Sequence, residues 1–186
     1  MIHRFIGGDQ GGWQVRAQHT LCGAPLPAVA FVDRRPPASP AAAAPAPAGH
    51  WQLQGVSSHL RYTTRAERTR LQARQPALGR PEARCAALIP LRKSPAWWAL
   101  AQDERRALFG PRSRHTAIGL GALPAIARQL LHARDLGEPF DFLTWFEFAP
   151  SERGRFDRLL VALRASPEWQ YVEREIEIHL ERVDGA

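Results

Sequence analysis

Between Ala86 and Pro150 the chain gathers the side chains best able to do chemistry. They are the sole lysine, Lys93, a Trp97-Trp98 pair, His115, Arg128 thirteen positions later, and Glu147 in the aromatic run FLTWFEF. An imidazole can ligate a metal through one ring nitrogen while the other donates to a carboxylate that holds the ring and raises its basicity. Glu147 is the candidate for that acceptor. An arginine inside an apolar strand is costly unless it meets an anion, so Arg128 points to an anionic ligand. Lys93 is the one lysine among 25 basic residues, which marks a place where a compact ammonium suits and a planar guanidinium does not. This mixture suits a buried cofactor better than a solvated surface.

Each residue also has a plainer reading. A histidine on an apolar helix face is more often a packed core residue than a ligand, an arginine can snorkel at a sheet edge, and one lysine can be retained by chance. A bare metal site fits poorly: no HxH, HExxH or CxxC spacing occurs, and the carboxylates fall mainly on faces that read as solvated. A porphyrin asks for one axial ligand, a large apolar slot and cations for its propionates, and this stretch can supply all three.

The elements that must position these residues come from the rest of the chain. At 186 residues and 45% hydrophobic, it can bury a core as one compact unit. The opening MIHRFIGGDQGGWQ has an arginine and then glycines where a secretory leader needs its apolar run, and no stretch is long and apolar enough to span a bilayer. The expectation is a cytoplasmic protein without a membrane contact. Cys22 and Cys85 lack metal-ligand spacing and are expected as free thiols, although a disulfide between them is geometrically open. The net charge of +7 raises the question of a polyanion partner, but the basic residues are scattered and form no block, so no nucleic acid is expected.

Alternation predicts strands over 2–6, 13–19, 27–33 and 51–63, the third followed by a Pro/Ala-rich tract (34–49) that cannot pack and serves as a linker or a lid-like insertion. Thr64 with Glu67 reads as a capping box opening a helix that stops before Pro76, leaving Gln75 at its end. A buried strand is expected over 84–92. Ser94-Pro95 then starts one helix carrying Trp97, Trp98, Leu100, Ala101, Leu108 and Phe109 up to Gly110-Pro111. A further helix begins near Ser113 and holds His115, Ile118 and Gly119. Two strands follow: Arg128, Leu130 and His132 share one face of the first, and Leu143, Trp145 and Glu147 share one face of the second, opposite Phe142, Phe146 and Phe148. A helix over 151–165 and an alternating strand, WQYVEREIEIHLERV, complete the chain. From residue 84 the order is β-α-β-β-α-β, the ferredoxin-like arrangement of an α+β fold, with 1–83 as a trimmed copy of the 84–186 half.

Three blocks carry a resemblance: LIPLRKSPAWWALAQDERRALF, RHTAIGLGALPAIARQLLHARDLGEPFDFLTWFEFAP and RASPEWQYVEREIEIHLER. In this order they closely resemble the chlorite dismutase family, and in particular its short-chain branch with a trimmed N-terminal half. FIGGDQGGWQ and WQLQGVSSHLRYTTRAE extend the likeness over essentially the whole chain. The resemblance implies a ferredoxin-like α/β barrel that binds heme b and converts chlorite to chloride and dioxygen through a ferryl and hypochlorite intermediate, as a homodimer. By position it makes His115 similar to the proximal iron ligand, Arg128 to the mobile distal arginine, and Gln75 to a distal glutamine bonded to that arginine. Glu147 and Lys93 are similar to the proximal glutamate and lysine, Trp97, Trp98 and Trp145 to the heme-pocket aromatics, and Tyr62 to a residue near a propionate. The competing readings are a coproheme decarboxylase, whose related pocket lacks the distal arginine, and a basic binding module without heme.

Overall fold

The computed structural model describes residues 1–37, 50–57, 64–109 and 115–183. Eight strands close into a barrel: β1 (Ile2–Gly8), β2 (Trp13–Cys22), β3 (Phe31–Arg35), β4 (Trp51–Ser57), β5 (Cys85–Lys93), β6 (Ala127–His132), β7 (Phe142–Phe148) and β8 (Val172–Arg182). Around the barrel their order is β1-β3-β2-β8-β5-β7-β6-β4, and every neighbouring pair is antiparallel. The first four strands therefore lie as β4-β1-β3-β2 and the last four as β8-β5-β7-β6, the same permutation twice, joined where β2 meets β8 and β4 meets β6. Closure leaves the sheet without a free edge.

The period of two along each strand separates two apolar layers. The inward side chains fill the barrel with Phe5, Trp13, Val32, Leu53, Leu88, Leu143, Trp145, Ile176 and Ile178. Trp51 also enters this interior because Gly7 lacks a side chain: a Cβ there would lie 2.2 Å from the Trp51 ring. Outward side chains of β5 and β7 (Cys85, Ala87, Ile89, Phe146, Phe148) are covered by Phe156, Leu159, Leu160 and Leu163 of helix α5 (Arg153–Arg164). β5 is covered on both faces, which explains its continuous apolar sequence. Its register with β8 passes from Leu88–Ile178 to Leu91–Glu175, and the step between contains Pro90, which has no N–H to donate.

Among the described residues, five α-helices join the strands: α1 (Arg65–Arg74), α2 (Pro95–Ala99), α3 (Gln102–Ala107), α4 (His115–Ala122) and α5. The single helix expected from Ser94 to Phe109 is two. Leu100 and Ala101 are extended, with ψ of 144° and 164°. Arg105 donates to the carbonyls of Trp98 and Leu100 (2.7 Å each), and Glu104 accepts from the Ala101 N–H (2.7 Å), so side chains satisfy the backbone groups that a break exposes.

Two strand boundaries also differ. The strand expected over 27–33 starts at Phe31 because Leu26 and Pro27 present their carbonyls to Gln18 (3.0 Å) and Trp51 Nε1 (3.0 Å) rather than to a ladder. The last strand starts at Val172, after a 3-10 turn over Pro167–Tyr171 that opens on Ser166-Pro167. Cys22 and Cys85 are both free thiols. Most of the Pro/Ala tract, the second half of the strand expected over 51–63, the side chain of Glu67 and the expected helix start at Ser113 lie outside the described residues. No helix among the described residues is long and apolar enough to cross a membrane.

Phe156 is fully buried, stacked on Phe148 with ring centroids 4.6 Å apart and edge-on to Phe146 at 5.2 Å. It is the anchor of α5 on the barrel. Phe156→Ala is expected to destabilise the fold by ~3–5 kcal/mol, measured by urea denaturation. A loss below ~1 kcal/mol would show that α5 is held by its charged contacts instead.

Candidate functional site

Register alone assembles the floor of a pocket. On the outer face, Ile89, Thr144 and Leu130 form one row across β5, β7 and β6, Leu91 and Phe142 adjoin it on one side, and Phe146 with Arg128 on the other. Leu160 and Leu163 of α5, Trp169 of the 3-10 turn and Phe109 supply the walls, and Lys93 with Glu168 closes one end. The cleft encloses about 660 Å³ of space between atoms, part of it open to solvent.

At the closed end Lys93 Nζ lies 2.7 Å from Glu168 Oε1, with the two side chains only 1% and 4% exposed. Lys93 also lies over the rings of Trp97 (4.8 Å) and Trp169 (5.4 Å), a cation held between aromatic faces. Burial pushes the Lys93 ammonium down from its ordinary pKa, and the Glu168 carboxylate opposes that shift. Removing either partner alone would leave an uncompensated buried charge, a change that typically costs ~3–5 kcal/mol. Trp97, 1% exposed, packs edge-on to Phe109 (5.4 Å), and its buried indole N–H has no acceptor among the described residues.

Toward the other side, Arg128 reaches from β6 into the pocket. Burial lowers its pKa and the Glu168 charge opposes that, yet no carboxylate among the described residues lies within salt-bridge distance of its guanidinium. Helix α4 covers it: a Cβ built on Gly119 would lie 3.9 Å from Arg128 Nη1. His115 is the first residue of α4, one turn before Gly119 and on the same helix face; its side chain lies outside the described residues. Gln75 does bond Arg128, but at the backbone, donating from Nε2 to the carbonyl at 2.7 Å. Among the described residues, β6 pairs with β4 at Leu131 and His132.

Other expected members fall elsewhere. Trp145 and Glu147 lie on the opposite, barrel-interior face of β7, as alternation from Phe146 requires. Glu147 accepts from Trp145 Nε1 (2.8 Å) and from the Gly79 N–H (2.6 Å), and Arg182 approaches it at 3.8 Å. The carboxylate beside Lys93 is therefore Glu168, not Glu147. Trp98 turns away from Trp97: its indole donates to Asp141 at 3.3 Å, and the Arg134 guanidinium covers its ring at 3.7 Å. Tyr62 lies outside the described residues.

Sequence reasoning missed Glu168, which falls between the helix expected over 151–165 and the last strand, and Trp169, which reads as the first residue of that strand. Ser166-Pro167 repeats the hydroxyl and proline start of Ser94-Pro95, and that signal marks a helical turn. The carboxylates were expected mainly on solvated faces, and five of them, Asp141, Glu147, Glu168, Glu175 and Glu177, are buried instead. Each has an arginine, lysine or aromatic N–H against it.

The pocket thus combines apolar walls with the buried Trp97 Nε1, which lacks an acceptor among the described residues, and the half-buried Arg128, which has no carboxylate within salt-bridge distance among them, beneath a helix that begins with a histidine. That donor set fits a flat, mostly apolar group carrying a metal and an anionic rim, with room for a small anion at Arg128.

No family model matches the chain. Among solved structures, the dimeric chlorite dismutase of Nitrobacter winogradskyi is 50% identical and superposes with a TM-score of 0.88 over 97% of this chain and 99% of that one. The chlorite dismutase of Candidatus Nitrospira defluvii, solved with imidazole, is 30% identical with a TM-score of 0.58, over 72% of this chain and 56% of that one. The curated chlorite dismutase of Ideonella dechloratans is 33% identical over 88 residues, 47% of this chain and 29% of that protein's length. The chain therefore matches well under two thirds of these last two proteins. Identity of one residue in two across essentially the full length of both chains in the first comparison places this chain in the chlorite dismutase family.

Proposed function

We propose that this chain binds heme b in the pocket between β5, β7, β6 and helices α4 and α5, and decomposes chlorite to chloride and dioxygen, ClO2⁻ → Cl⁻ + O2. The observation that carries this reading is the Arg128 guanidinium, desolvated on an apolar floor without a carboxylate partner among the described residues. The imidazole of His115 is the ligand for the iron, and Glu168, anchored by Lys93, takes the place expected for Glu147 as the acceptor that orients it. Trp97, whose indole N–H lacks an acceptor, and the aromatic walls Phe109, Phe142 and Phe146 hold the ring system.

When bound, the heme would supply an iron able to hold chlorite and accept its oxygen. The protein's part is electrostatic. Arg128 attracts an anion of one charge into a site that water solvates poorly, and it would hold the chlorine oxyanion in the pocket until both of its oxygens have been given up. Gln75 holds the Arg128 backbone rather than its guanidinium, which leaves the side chain free to swing. The homodimer of the Nitrobacter protein is proposed for this chain as well. A ferredoxin-like origin for both halves, 1–83 and 84–186, is supported by their identical strand permutation.

Four variants test the reading. His115→Ala should lose heme retention because the iron loses its protein ligand; a heme spectrum and affinity like those of wild type would hand the role to another histidine, such as His132. Glu168→Gln should weaken the imidazolate character of the ligand and raise the Fe(III)/Fe(II) midpoint potential, whereas Glu147→Gln should leave the potential alone and lower thermal stability. Spectroelectrochemistry showing the reverse would restore Glu147 to the site. Arg128→Ala should keep heme and evolve some oxygen, yet release hypochlorite ~10 to 100 times more readily, the value of one charge-assisted hydrogen bond. Methionine added as a trap should then delay its inactivation. A variant as durable as wild type, with or without the trap, would remove Arg128 from the reaction.

A further inference from the structure

The five-residue turn Pro167–Tyr171 delivers both Glu168 and Trp169 to the pocket, and so short a turn has little stability of its own. Its backbone is tied by Trp169 N–H to the Ser166 carbonyl (2.9 Å) and by Ser94 N–H to the Tyr171 carbonyl (2.8 Å). Side-chain bonds add to these: Lys93 Nζ donates to Glu168 Oε1 at 2.7 Å and to the Glu168 carbonyl at 3.4 Å, and at the next residue Trp169 Nε1 donates to Glu175 Oε2 at 2.8 Å. Glu175 is 2% exposed on the outer face of β8, and its other oxygen accepts two bonds from Arg164, from Nε at 2.9 Å and Nη2 at 2.6 Å. Arg164 also contacts Glu177, which meets His179. Burial pushes the Glu177 carboxyl up, but the bonds from His179 and Arg164 outweigh it and hold its pKa at about 2.

This arrangement lies behind the pocket wall. Leu160 and Leu163, the residues of α5 that face the cleft, directly precede Arg164 in the last turn of the same helix. A guanidinium bonded to both carboxylates ties α5 to β8, and the spare oxygen of Glu175 then ties β8 to the turn. Lys93 also feels the Glu175 charge, so the two ion pairs form one electrostatic unit around the Trp169 ring.

We infer that Glu175, clamped by Arg164, is a positioning residue that acts through the Trp169 indole to fix the turn presenting Glu168 to the pocket. It does not touch the cleft. It sets where the Glu168 carboxylate stands, and so how firmly that carboxylate engages the iron ligand; this second step rests on the heme reading above.

The test uses Trp169→Phe, which removes one N–H and keeps an aromatic ring, and Glu175→Gln, which keeps an acceptor and removes the charge. In heme-free protein, amide exchange over 167–171 should accelerate by about tenfold in Trp169→Phe. In heme-loaded protein both variants should raise the Fe(III)/Fe(II) midpoint potential and speed heme transfer to an acceptor protein by about tenfold, and the double variant should exceed the stronger single one very little, because both act through one bond. Unchanged exchange in Trp169→Phe overturns the clamp whatever the heme does. Faster exchange with an unchanged potential confines Trp169 to a structural role and overturns the positioning claim. Wild-type protein that retains no heme would overturn the functional reading instead, and the exchange measurement would still judge the clamp.

Discussion

A closed barrel of strands has an inside and an outside, and the two-residue period of a strand assigns every side chain to one or the other. In this chain the inside is filled by aromatic and branched residues packed at ring distances such as 5.2 Å between Trp13 and Trp145. The pocket described above is built instead from side chains that point outward and are roofed by helices. That constraint decides which members of the FLTWFEF run belong to the pocket: Phe142, Thr144 and Phe146 do, and Trp145 and Glu147 do not.

Charge placed on that outer face is desolvated by the roof, so it needs partners. Lys93 finds Glu168, and Arg164 finds Glu175 and Glu177. Arg128 is the exception, its guanidinium having no carboxylate within reach among the described residues. Pairs that satisfy each other lock elements together, while the cation held without a protein anion is available to something that arrives from solution. The same physics thus builds the wall of the pocket and reserves its function.

Much of this was legible in the one-dimensional pattern. The alternation of β6 and β7 put Arg128 with Leu130 and His132, and separated Phe146 from Trp145 and Glu147, as the register later required. Lys93 and Trp97 were singled out and do meet, 4.8 Å apart. By residue type and aromatic neighbourhood Glu147 reads as a site residue, whereas the same alternation sets it with Trp145 on the face opposite Phe146. Leu100 and Ala101 looked helical, since propensity does not register the two bonds by which Arg105 takes over the carbonyls before the break.

By itself the sequence determined most of the alternating strands, the helix start at Ser94-Pro95 and the family, because these are set by local periodicity, by capping chemistry and by residues in a specific order. Only the tertiary structure decided which carboxylate stands beside Lys93, that Gln75 grips a backbone carbonyl, and that Arg164 bonds Glu175. Those facts depend on which strands become neighbours when the sheet closes and on which face the helices cover. Such pairings join residues 75 positions apart, as in Lys93 and Glu168, and no local pattern in the chain records them.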